Sequence, residues 1–121
     1  MICLSHALTR LPHLSREAFL THWREVHAPL VASLANDLGI RRYLQIHGLS
    51  DEIAATLGRS STATLCDGVA QVWFDDQSAA LRTRDTPAGK AAFALLRQDE
   101  SRFIAREKSF SWWGEPHLIL G

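Results

Sequence analysis

Phe19, Trp23, His27 and Leu30 follow one another at spacings of four, four and three, so they share one face of a helix. The ring of His27 therefore points with two aromatic side chains toward an interior rather than into bulk water. A histidine in a partly apolar site titrates near neutral pH and can pass protons. Pro29 has no N–H to offer the carbonyl of Glu25, and its ring disfavours helical geometry at Ala28. The break frees backbone groups that can orient the His27 ring. Two roles stand side by side for His27: catalytic or ligand contact, and a structural hydrogen bond across a helix–sheet junction. Tyr43 and His47 share one face of an alternating segment. Tyr43 could hold a carbonyl or enolate oxygen while His27 moves the proton. The plainer alternatives are a packed tyrosine with a wet hydroxyl and an exposed His47 at a strand end. Trp23, His47, Gln71 and Trp73 complete the expected ligand-binding wall, with packing alone as the alternative for Trp73.

Other chemistries have weaker support. His22 and His27 are five residues apart and fall on different faces of an α-helix; no HxxxH, HExxH or CxxC pattern occurs. A metal triad would need His6, His27 and His47 to converge in space. Haem on a single histidine is a further alternative. Gly39, Gly48, Gly58 and Gly68 are spaced as helix stops and turns, not as a phosphate loop, and Ser60-Ser61 lacks the glycines of a nucleophile elbow. No metal and no cofactor are expected.

The elements that must position these residues can be read in order. Ile2–Leu8 is a short apolar strand. Ser15 is a good N-cap, and Glu17 sits where the helix dipole favours a carboxylate. Two helical pieces follow, about 16–28 and 29–38, joined by a kink, with Gly39 as the stop. Residues 41–47 alternate as a second strand, and the polar stretch around 58–62 makes a long loop, functional or mobile. A third strand covers 69–74. Thr86-Pro87 caps a helix carrying Ala91, Leu95 or Leu96, Asp99 and Phe103. A fourth strand region runs over 109–120, broken at Gly114 or Pro116. The order β-α-β-β-α-β predicts an α+β, ferredoxin-like four-stranded antiparallel sheet with both helices on one face.

Alternation assigns Leu44, Ile46, Ala70, Val72 and Phe74 to the helix-covered face. Tyr43, Gln45, His47, Val69, Gln71 and Trp73 then form the other face, too apolar to leave in water. Pairing with a second copy would give an eight-stranded barrel, and the pocket is expected between its two sheets. A filled dimer core is the alternative. The chain of 121 residues fits a single domain. Thirteen basic residues balance thirteen acidic ones, which argues against a nucleic-acid or anionic-membrane partner. No apolar run reaches membrane-spanning length, and no secretory signal is evident. Cys3 and Cys66 read as reduced thiols of a cytoplasmic protein.

The segment from Leu14 to Val31, with its Phe-x3-Trp-x3-His-x-Pro pattern, closely resembles the signature of EthD-type domains. Asp67–Asp75, Asp99–Ile104 and the tail Glu115–Ile119 also fit. The resemblance implies a single EthD-like domain over residues 1–121, a homodimeric α+β barrel and a small hydrophobic organic ligand. It leaves the reaction open. One reading is cofactor-free acid–base catalysis, an isomerisation, dehydration or decarboxylation of a carbonyl compound or lactone, with His27 and Tyr43 as the catalytic pair. The other is a binding or accessory protein to an oxygenase system; haem binding is the weaker third.

Overall fold

The computed structural model describes residues 1–58 and 66–121. Most of the polar loop, including Ser60-Ser61, lies outside the described residues. β1 (Ile2–Leu8) leads to α1 (Arg16–His22), which opens at Ser15. The Ser15 hydroxyl accepts the Ala18 N–H at 3.1 Å, as its residue type predicts. A π-helical turn, Trp23–His27, then runs straight into α2 (Ala28–Leu38).

This turn replaces the expected kink. The Ala28 N–H bonds to the Trp23 carbonyl five residues back, and the backbone stays right-handed helical through His27 and Ala28. Pro29 follows directly after the π turn, and its missing N–H leaves one carbonyl of that turn without a helical donor. Gly39 ends α2 with φ +71°, a left-handed conformation that favours glycine.

β2 (Arg42–His47), a short α3 (Asp51–Leu57) and β3 (Gly68–Phe74) follow. α4 (Gln77–Asp85) is capped by Asp76, and α5 (Pro87–Glu100) by Thr86 with Pro87 at its start. After a 3-10 turn, Arg106–Lys108, only Phe110–Gly114 forms β4; residues 115–121 carry no regular element. The sheet is antiparallel in the order β2-β3-β1-β4, the ferredoxin-like arrangement. Among the described residues, no helix is long and apolar enough to cross a membrane. Cys3 is buried, Cys66 is half-buried, and both are free thiols.

Leu8, Phe19, Trp23, Ala70, Phe103 and Ile104 form the core. Phe19 lies 5.8 Å from Trp23 and 5.5 Å from Phe103 between ring centroids. Gly68 is the close-approach point under this cluster: a Cβ there would collide with the Trp23 ring. Gly68→Ala is therefore expected to destabilise by about 1–3 kcal/mol through overpacking, read from urea unfolding. An unchanged midpoint would mean that the ring swings aside freely.

The register corrects one sheet face. Tyr43 pairs with Val72 and Gln45 with Ala70, so Tyr43, Gln45 and His47 lie on the helix-covered face with Ala70, Val72 and Phe74. Leu44 and Ile46 lie on the open face with Val69, Gln71 and Trp73, and are 38% and 45% exposed. The reason is polar satisfaction. The Gln45 side-chain amide donates to the Trp23 carbonyl at 2.8 Å, an anchor available only on the helix side.

Candidate functional site

The sheet and the helices do not close on each other completely. Between them lies a cavity of about 970 Å³, at the upper end of the range for small-molecule sites. Its apolar lining comes from β1, β3 and α2: Leu4, Leu8, Val31, Leu38, Val72 and Phe74. Polar groups on its wall include His6, His27, Tyr43, Glu100 and Ser111. Among the expected site residues, Trp23, His27 and Tyr43 therefore meet in one cavity. This cavity lies on the helix side of the sheet. Gln71 and Trp73 face away from it on the open face, where the Arg42 guanidinium sits 4.8 Å over the Trp73 ring. His47 is separated from it as well: its ring stacks on Trp23, with centroids 4.6 Å apart and planes 15° apart, and hydrogen-bonds Gln45 Oε1 at 2.8 Å. It supports the wall from behind.

His27 is 6% exposed, and its Nδ1 lies 2.8 Å from Asp99 Oδ2. Asp99, on α5, is 2% exposed and is the centre of a network. It accepts from His22 Nε2 at 3.0 and 3.2 Å and from the Arg102 guanidinium at 3.3 Å. The π turn makes this convergence possible. Five residues of α-helix rotate a side chain by about 500°, leaving it roughly 140° out of line. The wider turn removes most of that offset, so His22 and His27 reach one carboxylate. Such turns are frequent at functional sites.

Burial pushes the His27 pKa below its ordinary value, and the hydrogen bond and charge of Asp99 only partly offset this. Burial would also raise the pKa of Asp99, but hydrogen bonds from His27 and His22, with their charges, bring it below the usual carboxylate range. The pair at neutral pH is thus an ionised Asp99 and a neutral His27 whose Nδ1–H donates to it. Nε2 is left with a lone pair, the tautomer a general base needs.

Tyr43 is placed to complement it. Gln45 Nε2 donates to the Tyr43 oxygen at 2.9 Å, which leaves the phenolic O–H as a free donor. Burial raises the Tyr43 pKa, more than hydrogen bonding from Gln45 and Trp23 lowers it, so the proton stays on. Burial and the nearby His27 lower the His6 pKa, and burial raises that of Glu100. The cavity therefore presents two neutral imidazoles, a protonated phenol and a carboxyl whose pKa is raised.

Asp99, His22 and Glu100 were not singled out by the sequence reading. The signal available was Pro29, whose missing N–H fits a widened turn, together with Asp99 at the end of α5, four residues before the core residue Phe103. Among the described residues, no group of three His, Cys, Asp or Glu side chains is arranged to hold a metal ion.

The EthD domain profile matches residues 11–107, most of the chain. The chain belongs to the EthD domain family. An EthD family protein from Bacillus halodurans has a similar structure, at 21% identity and TM-score 0.62, covering 97% of this chain and 100% of that one. SnoaB, a cofactor-independent oxygenase from Streptomyces nogalater, is similar at 15% identity and TM-score 0.55, with 98% and 95% covered. A dimeric protein of unknown function with a ferredoxin-like fold from Bacteroides fragilis is similar at 10% identity and TM-score 0.58, with 94% of each chain covered. At these identities the likeness shows the fold. No curated protein matches the sequence.

Proposed function

We propose that this EthD domain protein binds a small apolar carbonyl compound or lactone in the cavity between sheet and helices and moves a proton on it without a cofactor. The observation that carries this reading is the buried His27–Asp99 pair opening onto an apolar cavity beside Tyr43. His27 Nε2 takes a proton from the carbon next to the carbonyl. The electron pair passes to the carbonyl oxygen, and the Tyr43 O–H stabilises the enolate. Return of the proton at another position completes an isomerisation; loss of a leaving group gives a dehydration. Proton removal in this largely apolar cavity would equally begin a cofactor-independent oxygenation, the activity given for the Streptomyces neighbour. The second reading is a binding or accessory protein that holds such a compound without turnover. Exchange of the α-protons of 2-tetralone in D2O, followed by proton NMR, separates the two. Acceleration by the protein supports catalysis, and binding without acceleration supports the accessory role.

The same protein is proposed to work as a homodimer in the cytoplasm. The open sheet face carries Leu44, Ile46, Val69, Trp73 and Trp112 side by side, with Trp112 60% exposed. Such a patch is costly to leave in water and suits a second copy of the sheet. Light scattering is expected to give twice the 13.5 kDa of one chain, and Ile46→Asp is expected to give a folded protein of 13.5 kDa. A wild-type mass of 13.5 kDa at micromolar concentration would contradict the dimer.

A further inference from the structure

The cavity wall on the side of α4, α5 and the 3-10 turn has a different character from its floor. Arg84, Lys90, Arg97 and Arg106 line it against two acids, Glu100 and Glu107. The chain as a whole balances 13 basic with 13 acidic residues, so this is a local excess. None of the four cations makes an ion pair within 4.0 Å among the described residues.

Two of them are also held in place. The Arg84 guanidinium lies 5.8 Å over the Trp113 ring, and that of Arg97 lies 5.1 Å over the Phe93 ring. Both rings line the same cavity. A guanidinium resting on a ring face keeps its N–H edges free, and that edge geometry suits a carboxylate. Glu100 is a competing acid on this wall, and Arg97 and Arg106 act on it electrostatically. Burial raises its pKa above the ordinary value, against the pull of those two arginines.

Resting on the reading of the cavity as a carbonyl-compound site, we infer that the ligand is an amphipathic organic acid. Its carboxylate is held at the cavity wall by Arg84 and Arg97, and its apolar body extends toward His27 and Tyr43. The apolar floor accepts the body, and the cationic wall selects its charge. Both arginines are exposed, so the carboxylate remains partly hydrated and the selectivity is moderate, about tenfold.

The test compares 2-naphthoate with 2-naphthamide, which share an apolar body and differ in charge. Affinities come from calorimetry at low salt, and NMR shifts of the His27 and Tyr43 side chains report where each ligand sits. The expected result is that both ligands shift His27 and Tyr43, with naphthoate bound about tenfold more tightly. That preference should fall to near unity in the Arg84→Gln/Arg97→Gln double variant and shrink at high salt. Equal affinities in the wild-type protein overturn the inference while leaving the cavity reading intact. A preference that persists in the double variant overturns it too. If neither ligand shifts His27 or Tyr43, the cavity reading itself fails and the inference falls with it.

Discussion

His27→Ala is expected to slow the protein-catalysed α-proton exchange of 2-tetralone by about 10²–10⁴-fold, the usual contribution of a positioned acid–base group. The protein should stay folded at neutral pH, and the ligand should still bind, because the apolar floor is untouched. The pH profile carries further information. His27 is neutral in its working form, and burial places its pKa below the ordinary value of 6.5. Exchange should therefore rise with pH through a midpoint below 6.5 and then level off. Tyr43→Phe should lower the rate with little change in that midpoint, because the phenol stabilises the enolate oxygen and takes no part in removing the proton. Full exchange activity in His27→Ala would assign the histidine to structure alone.

Asp99→Ala is expected to have the largest effect on stability, a loss of about 3–5 kcal/mol at pH 7. Asp99 is buried and holds His22, His27 and Arg102 together, so its removal leaves the inner ends of those groups without an acceptor. A loss of this size is a large part of the stability of a small domain, typically about 5–15 kcal/mol in all. Urea unfolding followed by tryptophan fluorescence measures it, and a loss below about 1 kcal/mol would show that the network relaxes or hydrates freely.

The same groups set a pH dependence. The folded pKa of His27 lies below the unfolded 6.5, so the unfolded chain binds the proton more readily. Stability is full above pH 6.5 and falls as pH drops through the folded value. Asp99, also depressed, adds a second loss as pH falls below 3.8. Glu100 acts oppositely: its raised pKa contributes stability below 4.5 that is lost as pH rises through the folded value. Loss of stability should therefore begin just below pH 6.5, and His27→Gln should remove part of that first step.

Much of the frame was legible because it rests on local chemistry. Ser15, Gly39 and the Thr86-Pro87 pair mark helix ends through capping hydroxyls, a left-handed backbone and a fixed φ, and each acts within a few residues. The four strands and their order followed from the same punctuation. The face of β2 was not legible. Leu44 and Ile46 are more apolar than Gln45 and His47, and apolarity alone assigns them to the core. The choice was made instead by the Trp23 carbonyl, 22 residues away, which takes the Gln45 amide.

The partnership of His22 with His27 was hidden by an assumption of 3.6 residues per turn. A π turn changes that periodicity locally, and its effect shows only where Asp99 arrives from α5 to meet both rings. Trp23, His27 and Tyr43 line one cavity. Their positions depend on a helix stripe and a strand face meeting across the sheet.

The most direct measurement is a crystal structure of the protein grown with 2-tetralone. The ketone is predicted between the sheet and α5, with its oxygen at hydrogen-bond distance from the Tyr43 hydroxyl and its α-carbon facing His27 Nε2. Density for the ketone only on the open face of Leu44, Ile46 and Trp73, or a cavity filled by protein side chains, would contradict the account.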